Sequence, residues 1–303
     1  MLLEDLQAFA AVIECASLTK AAVRLRLTQS AVSRRIQNLE QSLGILLFVR
    51  TQRPPVPTLM ALRIYEEAVQ LLGGAERLRR IPQETATPTG RFRVGFTQMV
   101  ADIVVVNTVM SIKLAFPALT MQVTTQWSSE LEKLLIAGEI DIATLLLAPS
   151  SQLPPGFVGE HVETLDILVV QSKRCPAVGP TSIEELSHHG WILNPKGCGY
   201  RAALESAMGG QGTTLKLAVD THDATIQMRM VAAGLGLGLL PRRLLESSSL
   251  RSQLSIVEVS DFSLQMNIWV VSPLHPGNLK QANELLKLDI AEGFRSTHQK
   301  TRP

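Results

Sequence analysis

Cysteine is scarce in this sequence: three in 303 residues, at positions 15, 175 and 198. Their separations fit no zinc-ligand spacing, and so small a number supports no disulfide framework. Net charge is also nearly missing, at +2 for the whole chain, so the chain taken as one body has no polyanion signature. No apolar run approaches the roughly 18 residues expected of a membrane span. The first 16 residues carry Glu4, Asp5 and Glu14 and lack a basic start followed by an apolar stretch, so no secretory leader is expected. With reduced cysteines, this points to the cytoplasm and to no membrane partner.

What charge there is lies in one place. From Lys20 to Arg53 the chain has seven basic residues against one acidic residue, Glu40, for a local net of +6. A basic unit on an otherwise balanced chain is the distribution that phosphate binding requires. Within it, Leu18, Ala21, Ala22 and Leu25 recur at helical spacing, and a second series follows in Val32, Ile36, Leu39 and Leu43. Two short amphipathic helices joined by a tight turn are predicted, with Ser17 and Thr28 as N-caps and Gly44 as the left-handed stop. The alanines at 21 and 22 allow the helices to approach closely. On the outer side of the second helix Gln29, Ser33 and Gln37 lie four apart, as do Ser30 and Arg34. Every one can hydrogen-bond and only Arg34 is charged. Gln and Arg pair with base edges in the major groove, and Ser and Thr with phosphate oxygens; the plain alternative is a solvated helix in an all-helical bundle.

The run SLTKAAVRLRLTQSAVSRRIQNLEQSLGILLFVR resembles the winged helix-turn-helix of LysR-type bacterial transcriptional regulators. RFRVGF at 91–96, LLIAGEIDIA at 134–143 and MVAAGLGLGLLP at 230–241 resemble the effector-binding domain of the same family, so the likeness covers nearly the whole chain. It implies an α/β fold with an N-terminal winged helix-turn-helix, a long linker helix, and a two-lobed effector domain like that of periplasmic binding proteins. It implies a DNA-binding regulator and not an enzyme, acting on a double-stranded operator. A small-molecule co-inducer is expected in place of a cofactor or metal, a homodimer or homotetramer as the assembly, and RNA polymerase as a further partner. DNA contacts are expected from Thr28, Gln29, Ser30, Ser33, Arg34 and Gln37, with Arg50 and Arg53 flanking the wing turn TQRPPVP where they could reach phosphates or the minor groove.

The rest of the chain can be read in the same terms. The expected limits are 1–58 for the winged helix-turn-helix, 59–81 for the linker helix and 82–90 for a hinge. The effector domain is expected over 91–293, with lobes 91–165 plus 266–293 and 166–265, and a flexible tail over 294–303. Leu59, Leu62, Tyr65, Ala68, Val69 and Leu72 give the linker helix an apolar face that its own sequence neighbours are too few to cover, so a second subunit is the expected cover; Gly73 and Gly74 are its weak points. Beyond 90, strands and helices alternate, which argues for a parallel sheet with helical crossovers. Ligands bind such sheets at the carboxyl ends of strands, so the turns after Phe96, Thr125, Leu193 and Asp220 are the expected site.

Those turns supply Thr97, Gln98, Met99, Trp127, Ser128, Asn194, Tyr200, Thr221 and His222 as candidate effector contacts. Ser128 is either a ligand contact or a helix cap, Trp127 either a cleft wall or core, and His222 either a donor or a cap. Met99 stands where the family commonly has a small hydroxyl residue, and Trp127 where it commonly has glycine; an aromatic or partly apolar effector fits these departures better than a small carboxylate. Cys198, near His188 and His189 in sequence, has no nucleophile motif around it. GLGLG at 234–238 follows a helix and precedes a strand, the wrong order for a pyrophosphate cradle, and suits a tight turn. A periplasmic solute-binding protein has the same two-lobed architecture, but the expected lack of a leader argues against it.

Overall fold

The computed structural model describes residues 2–49, 54–176 and 179–300. The chain divides into two compact units, Met1–Thr85 with Ile136–Glu139, and Ala86–Leu135 with Ile140–Pro303.

In the first unit three helices, α1 (Leu3–Cys15), α2 (Leu18–Leu25) and α3 (Gln29–Leu43), precede the strands β1 (Phe48–Val49) and β2 (Val56–Pro57) and the long α4 (Leu59–Arg80). The local signals act as the sequence suggests. Ser17 accepts a hydrogen bond from the Lys20 amide and Thr28 one from the Ala31 amide, and Gly44 takes φ +70°. Arg26 ends α2 in the left-handed region, at φ 56°, which makes the tight turn before α3. Phe9, Val12, Ala21, Val32, Ile36, Leu39 and Leu47 form the core, and Ala21 is fully buried. β1 and β2 pair antiparallel, as a wing does; Arg50 and Arg53, at its turn, lie outside the described residues.

The linker helix runs through Gly73 and Gly74 without a break. Part of the face expected to await a partner is covered within the unit itself: Tyr65 packs edge-on to Phe9, and Ala68 and Leu72 join the same core. Burial and the adjacent Glu14 carboxylate raise the Tyr65 phenol well above its usual range. Leu59, Leu71 and Leu78 stay more than half exposed.

The second unit is built on one mixed sheet. Its elements are β3 (Gly90–Phe96), α5 (Gln98–Ala115), β4 (Leu119–Thr125), α6 (Ser128–Ile136), β5 (Ile142–Leu147) and β6 (Phe157–Ser172). They continue with α7 (Ile183–Leu186), β7 (Trp191–Leu193), α8 (Gly199–Gly210), β8 (Leu217–Asp220), α9 (Ala224–Ala232), β9 (Leu237–Pro241), α10 (Arg242–Ser247), β10 (Leu254–Ile256), β11 (Leu264–Pro273) and α11 (Lys280–Lys300). The strand order is β4-β3-β5-β11-β6-β9-β7-β8, with β10 on β6. The parallel sheet expected from the alternation holds within each half and not across them: β3, β4 and β5 are parallel, as are β7, β8 and β9, but β11 runs antiparallel to both β5 and β6. Two parallel α/β halves are thus joined by the long β6–β11 ribbon. The expected tail at 294 is also corrected, because α11 continues to Lys300 and Phe294 is 2% exposed, with the Arg243 guanidinium over its ring.

Helix α5 corrects a third expectation. Its 18 residues are long and apolar enough, by composition alone, to cross a membrane. It is a core helix on one side, with Val100, Ala101, Val104, Thr108 and Ile112 buried, and exposes Val106, Met110 and Leu114 on the other.

The glycines of GLGLG serve close packing. A Cβ on Gly236 would meet the Gly190 carbonyl oxygen at 2.5 Å, and one on Gly238 the Val231 side chain at 2.9 Å. Backbone against backbone cannot relax cheaply, so Gly236→Ala is expected to cost about 1–3 kcal/mol, read as a lower urea midpoint at unchanged slope. Gly209→Ala, where nothing lies within 4 Å of a new Cβ, is expected to shift the midpoint upward, by up to about 1 kcal/mol of helix propensity.

Candidate DNA-reading face and effector cleft

On α3 the two sides differ in how their polar groups are spent. The inward residues are apolar, and Arg35 at the edge pairs with Glu4 of α1 at 2.6 Å. Glu40 accepts from the Leu47 amide at 2.8 Å, tying the helix to the approach of the wing. Arg24 of α2 is likewise committed to Glu14. Thr28, Gln29, Ser30, Arg34 and Gln37 are exposed and Ser33 is half-buried. Among the described residues Gln29, Ser33, Arg34 and Gln37 have no hydrogen-bond or ionic partner, whereas the hydroxyls of Thr28 and Ser30 lie 3.0 Å apart. These free groups lie on adjacent rows of a helix that Arg35 and Glu40 fix to its neighbours. Such a helix presents donors and acceptors at an angle set by its neighbours, which is what groove reading needs.

In the second unit the turns after β3, β4, β7 and β8 converge on a cavity of about 560 Å³. Thr97, Gln98, Met99, Trp127, Ser128, Asn194, Tyr200 and His222 all line it. Thr221 does not; its hydroxyl accepts from the Asp223 amide at 3.3 Å and shapes the turn instead. The cavity lies between the two halves of the sheet, and two contacts join those halves. The Trp127 and His222 rings lie 5.8 Å apart, tilted by 31°, and the Ser129 hydroxyl donates to the Gly197 carbonyl at 3.4 Å.

Several lining groups are anchored from behind. The Thr97 amide donates to Thr144 Oγ1 at 2.9 Å, with Thr144 itself fully buried. Ser128 Oγ accepts from the Leu146 amide across to β5, so its hydroxyl oxygen links two strand ends. Gln227, on α9, donates to the carbonyls of Ile192 and Leu239 and so locks β7 to β9. Tyr200 is nearly buried, and that burial, with Cys198 beside it, raises its phenol far above the ordinary value; it enters the site as a neutral hydroxyl and an apolar ring. Asn194 Nδ2 donates to Cys198 Sγ at 3.4 Å while Asn194 Oδ1 is buried without a partner.

Sequence reasoning missed Asp102, Asp223, Gln227 and the Leu239–Leu244 wall. Asp102 and Asp223 were open to detection, Asp102 one helical turn past Gln98 and Asp223 within the THD turn; the wall comes from β9, whose place beside β7 depends on pairing. Cys198 lines the cavity, but His188 and His189 do not. No cluster of metal-ligating side chains is present among the described residues.

Residues 3–61 match the lysR family of bacterial regulatory helix-turn-helix proteins, and residues 85–288 match the LysR substrate binding domain. The chain belongs to the LysR family. This LysR-type regulator is 25% identical over 268 residues to the uncharacterized HTH-type transcriptional regulator YeiE of Escherichia coli K12, covering 88% of this chain and 89% of that protein. It is 26% identical over 266 residues to the HTH-type transcriptional regulator GltR of Bacillus subtilis 168, covering 86% of each. Full-length OxyR from Pseudomonas aeruginosa shares the fold, with a TM-score of 0.64 at 19% identity over 96% of this chain and 98% of that one. Full-length BenM does so with a TM-score of 0.53 at 23% identity, over 98% of each chain. As a LysR-type transcriptional regulator it has a helix-turn-helix DNA-binding domain and a domain that binds small-molecule effectors; the family's work is regulation and not catalysis.

Proposed function

We propose that this LysR-type regulator reads its operator through the exposed row of α3 and takes its effector in the cavity between the two halves of the sheet. The observation that carries the reading is the convergence of four strand-end turns on one cavity, with the lining residues Thr97 and Ser128 tied back to β5. We assign the boundary of the DNA-binding part to the segment around 82–90, place the protein in the cytoplasm, and expect a homodimer or homotetramer. The exposed Leu59, Leu71 and Leu78 of α4 support a helical partner for that element.

Mapping the genomic sites bound by the protein would supply the operator and, from the neighbouring genes, the candidate metabolites. With a ligand in hand, calorimetry on the full chain should show Trp127→Ala weakened about tenfold or more, the loss of one aromatic wall. Unchanged affinity in both Trp127→Ala and Met99→Ala would move the site elsewhere.

The wing is proposed to hold phosphates. Arg53→Ala should weaken binding to all sequences alike and reduce the slope of log affinity against log salt by roughly 0.9. A salt titration with the parent slope would leave Arg53 as a solvated residue.

A further inference from the structure

The charge of the effector cavity is legible from its walls. Among the described residues no lysine or arginine lines it, while Asp102 and Asp223 do. Arg201, beside the cavity in sequence, is committed to Glu205 at 2.8 Å and to the Asn194 carbonyl at 3.4 Å. One helix start at the cavity, that of α9, is already filled by the protein's own anion: Asp223 Oδ1 accepts from the amides of Thr225 and Ile226 at 2.7 and 2.9 Å. Asp102 Oδ1 accepts from Gln98 Nε2 at 2.7 Å. Each carboxylate uses one oxygen in these bonds, and neither has an ionic partner among the described residues.

Resting on the reading of this cavity as the effector site, we propose that the effector is an apolar, ring-sized molecule bearing a protonated amine, and that carboxylates and phosphates are rejected. A carboxylate entering here would bring a third negative charge with no cation to meet it. An ammonium group instead finds the second oxygens of Asp102 and Asp223. Its apolar body finds Trp127, Tyr200 and Leu244. The uncapped start of α8, where Cys198 makes no side-chain cap bond, is left for a neutral acceptor oxygen.

Cys198 reports the field directly, because it lines the same cavity. Full-length protein with Cys15→Ser and Cys175→Ser would be modified by 2-aminoethyl methanethiosulfonate, a cation, and by the 2-sulfonatoethyl reagent, an anion. The ratio of cation rate to anion rate, relative to a free small thiol, is expected to rise about fivefold at low ionic strength and to shrink with salt, since both carboxylates are reached by water. It should collapse toward the free-thiol ratio in Asp102→Asn/Asp223→Asn, where Asn keeps the cap acceptor. A thiol introduced by Met99→Cys, with all three native cysteines changed to Ser, gives the same reading from another wall. A ratio at or below that of the free thiol at both positions overturns the proposal, as does protection of Cys198 by benzoate equal to that by benzylamine. Failure of the underlying reading looks different: the charge preference persists while Trp127→Ala leaves the promoter response unchanged.

Discussion

Arg34→Ala is expected to weaken operator binding by about 1–3 kcal/mol per recognition helix, and Gln37→Ala by a similar amount, each relaxing specificity at one base position. Two basic residues of the same unit that are already paired serve as internal controls. Arg24 and Arg35 are spent on Glu14 and Glu4, so their loss should lower folding stability more than it alters sequence preference. Arg34 has no such commitment, and its removal should leave the melting curve nearly unmoved. In a dimer each substitution counts twice, so the double variant should fail to shift an operator fragment at concentrations where the parent saturates it. If both single variants bind with parental affinity and preference, the reading face is another one.

Asp141→Ala is expected to be the most damaging of these substitutions to the effector domain, by about 3 kcal/mol. Asp141 is 2% exposed and receives three bonds from one residue: the Arg93 amide at 2.8 Å, Nε at 3.1 Å and Nη2 at 2.7 Å. The Asp141 amide in turn donates to the Arg93 carbonyl. This clamp joins the middle of β3 to the start of β5, and β3 delivers Thr97, Gln98 and Met99 to the cavity. Removing the carboxylate strands a guanidinium that is only a quarter exposed, which keeps the cost near the lower end for a broken buried pair. Urea unfolding of the full chain would show the effector-domain transition at lower denaturant, with the first unit unmoved. Coincident loss in both units would show that they unfold together.

The N-terminal unit was the more legible part, for a physical reason. Its signals are local: caps at Ser17 and Thr28, a stop at Gly44, and apolar spacing that decides which side of a short helix is inside. The effector domain was legible in its parts and less so in its assembly. Strand runs could be found around Phe92–Phe96 and Trp191–Leu193, but the direction of β11 against β5 and β6 is set by pairing partners far away in sequence. The first half of β6 has a weak strand signal because Glu160, His161 and Glu163 dilute its apolar run; His161 there packs edge-on against Trp269 of β11, a contact invisible from either segment alone. The cavity residues were found through the rule that ligands sit at strand ends, which requires only that the strands be placed. Thr221 failed because a turn residue can serve its own backbone as readily as a ligand.

The long β6–β11 ribbon also dictates when the protein can be finished. β11 pairs Leu264 with Ile167 and Val270 with Thr144, partners made much earlier during synthesis. Until residues 264–273 leave the ribosome, one edge of β5, with its run IATLLL, has no neighbour. The helical DNA-binding unit, whose contacts are local, can form while that strand edge is still open. A nascent chain of this sequence can therefore complete its helix-turn-helix before its sensing domain, with an apolar strand edge open in the interval.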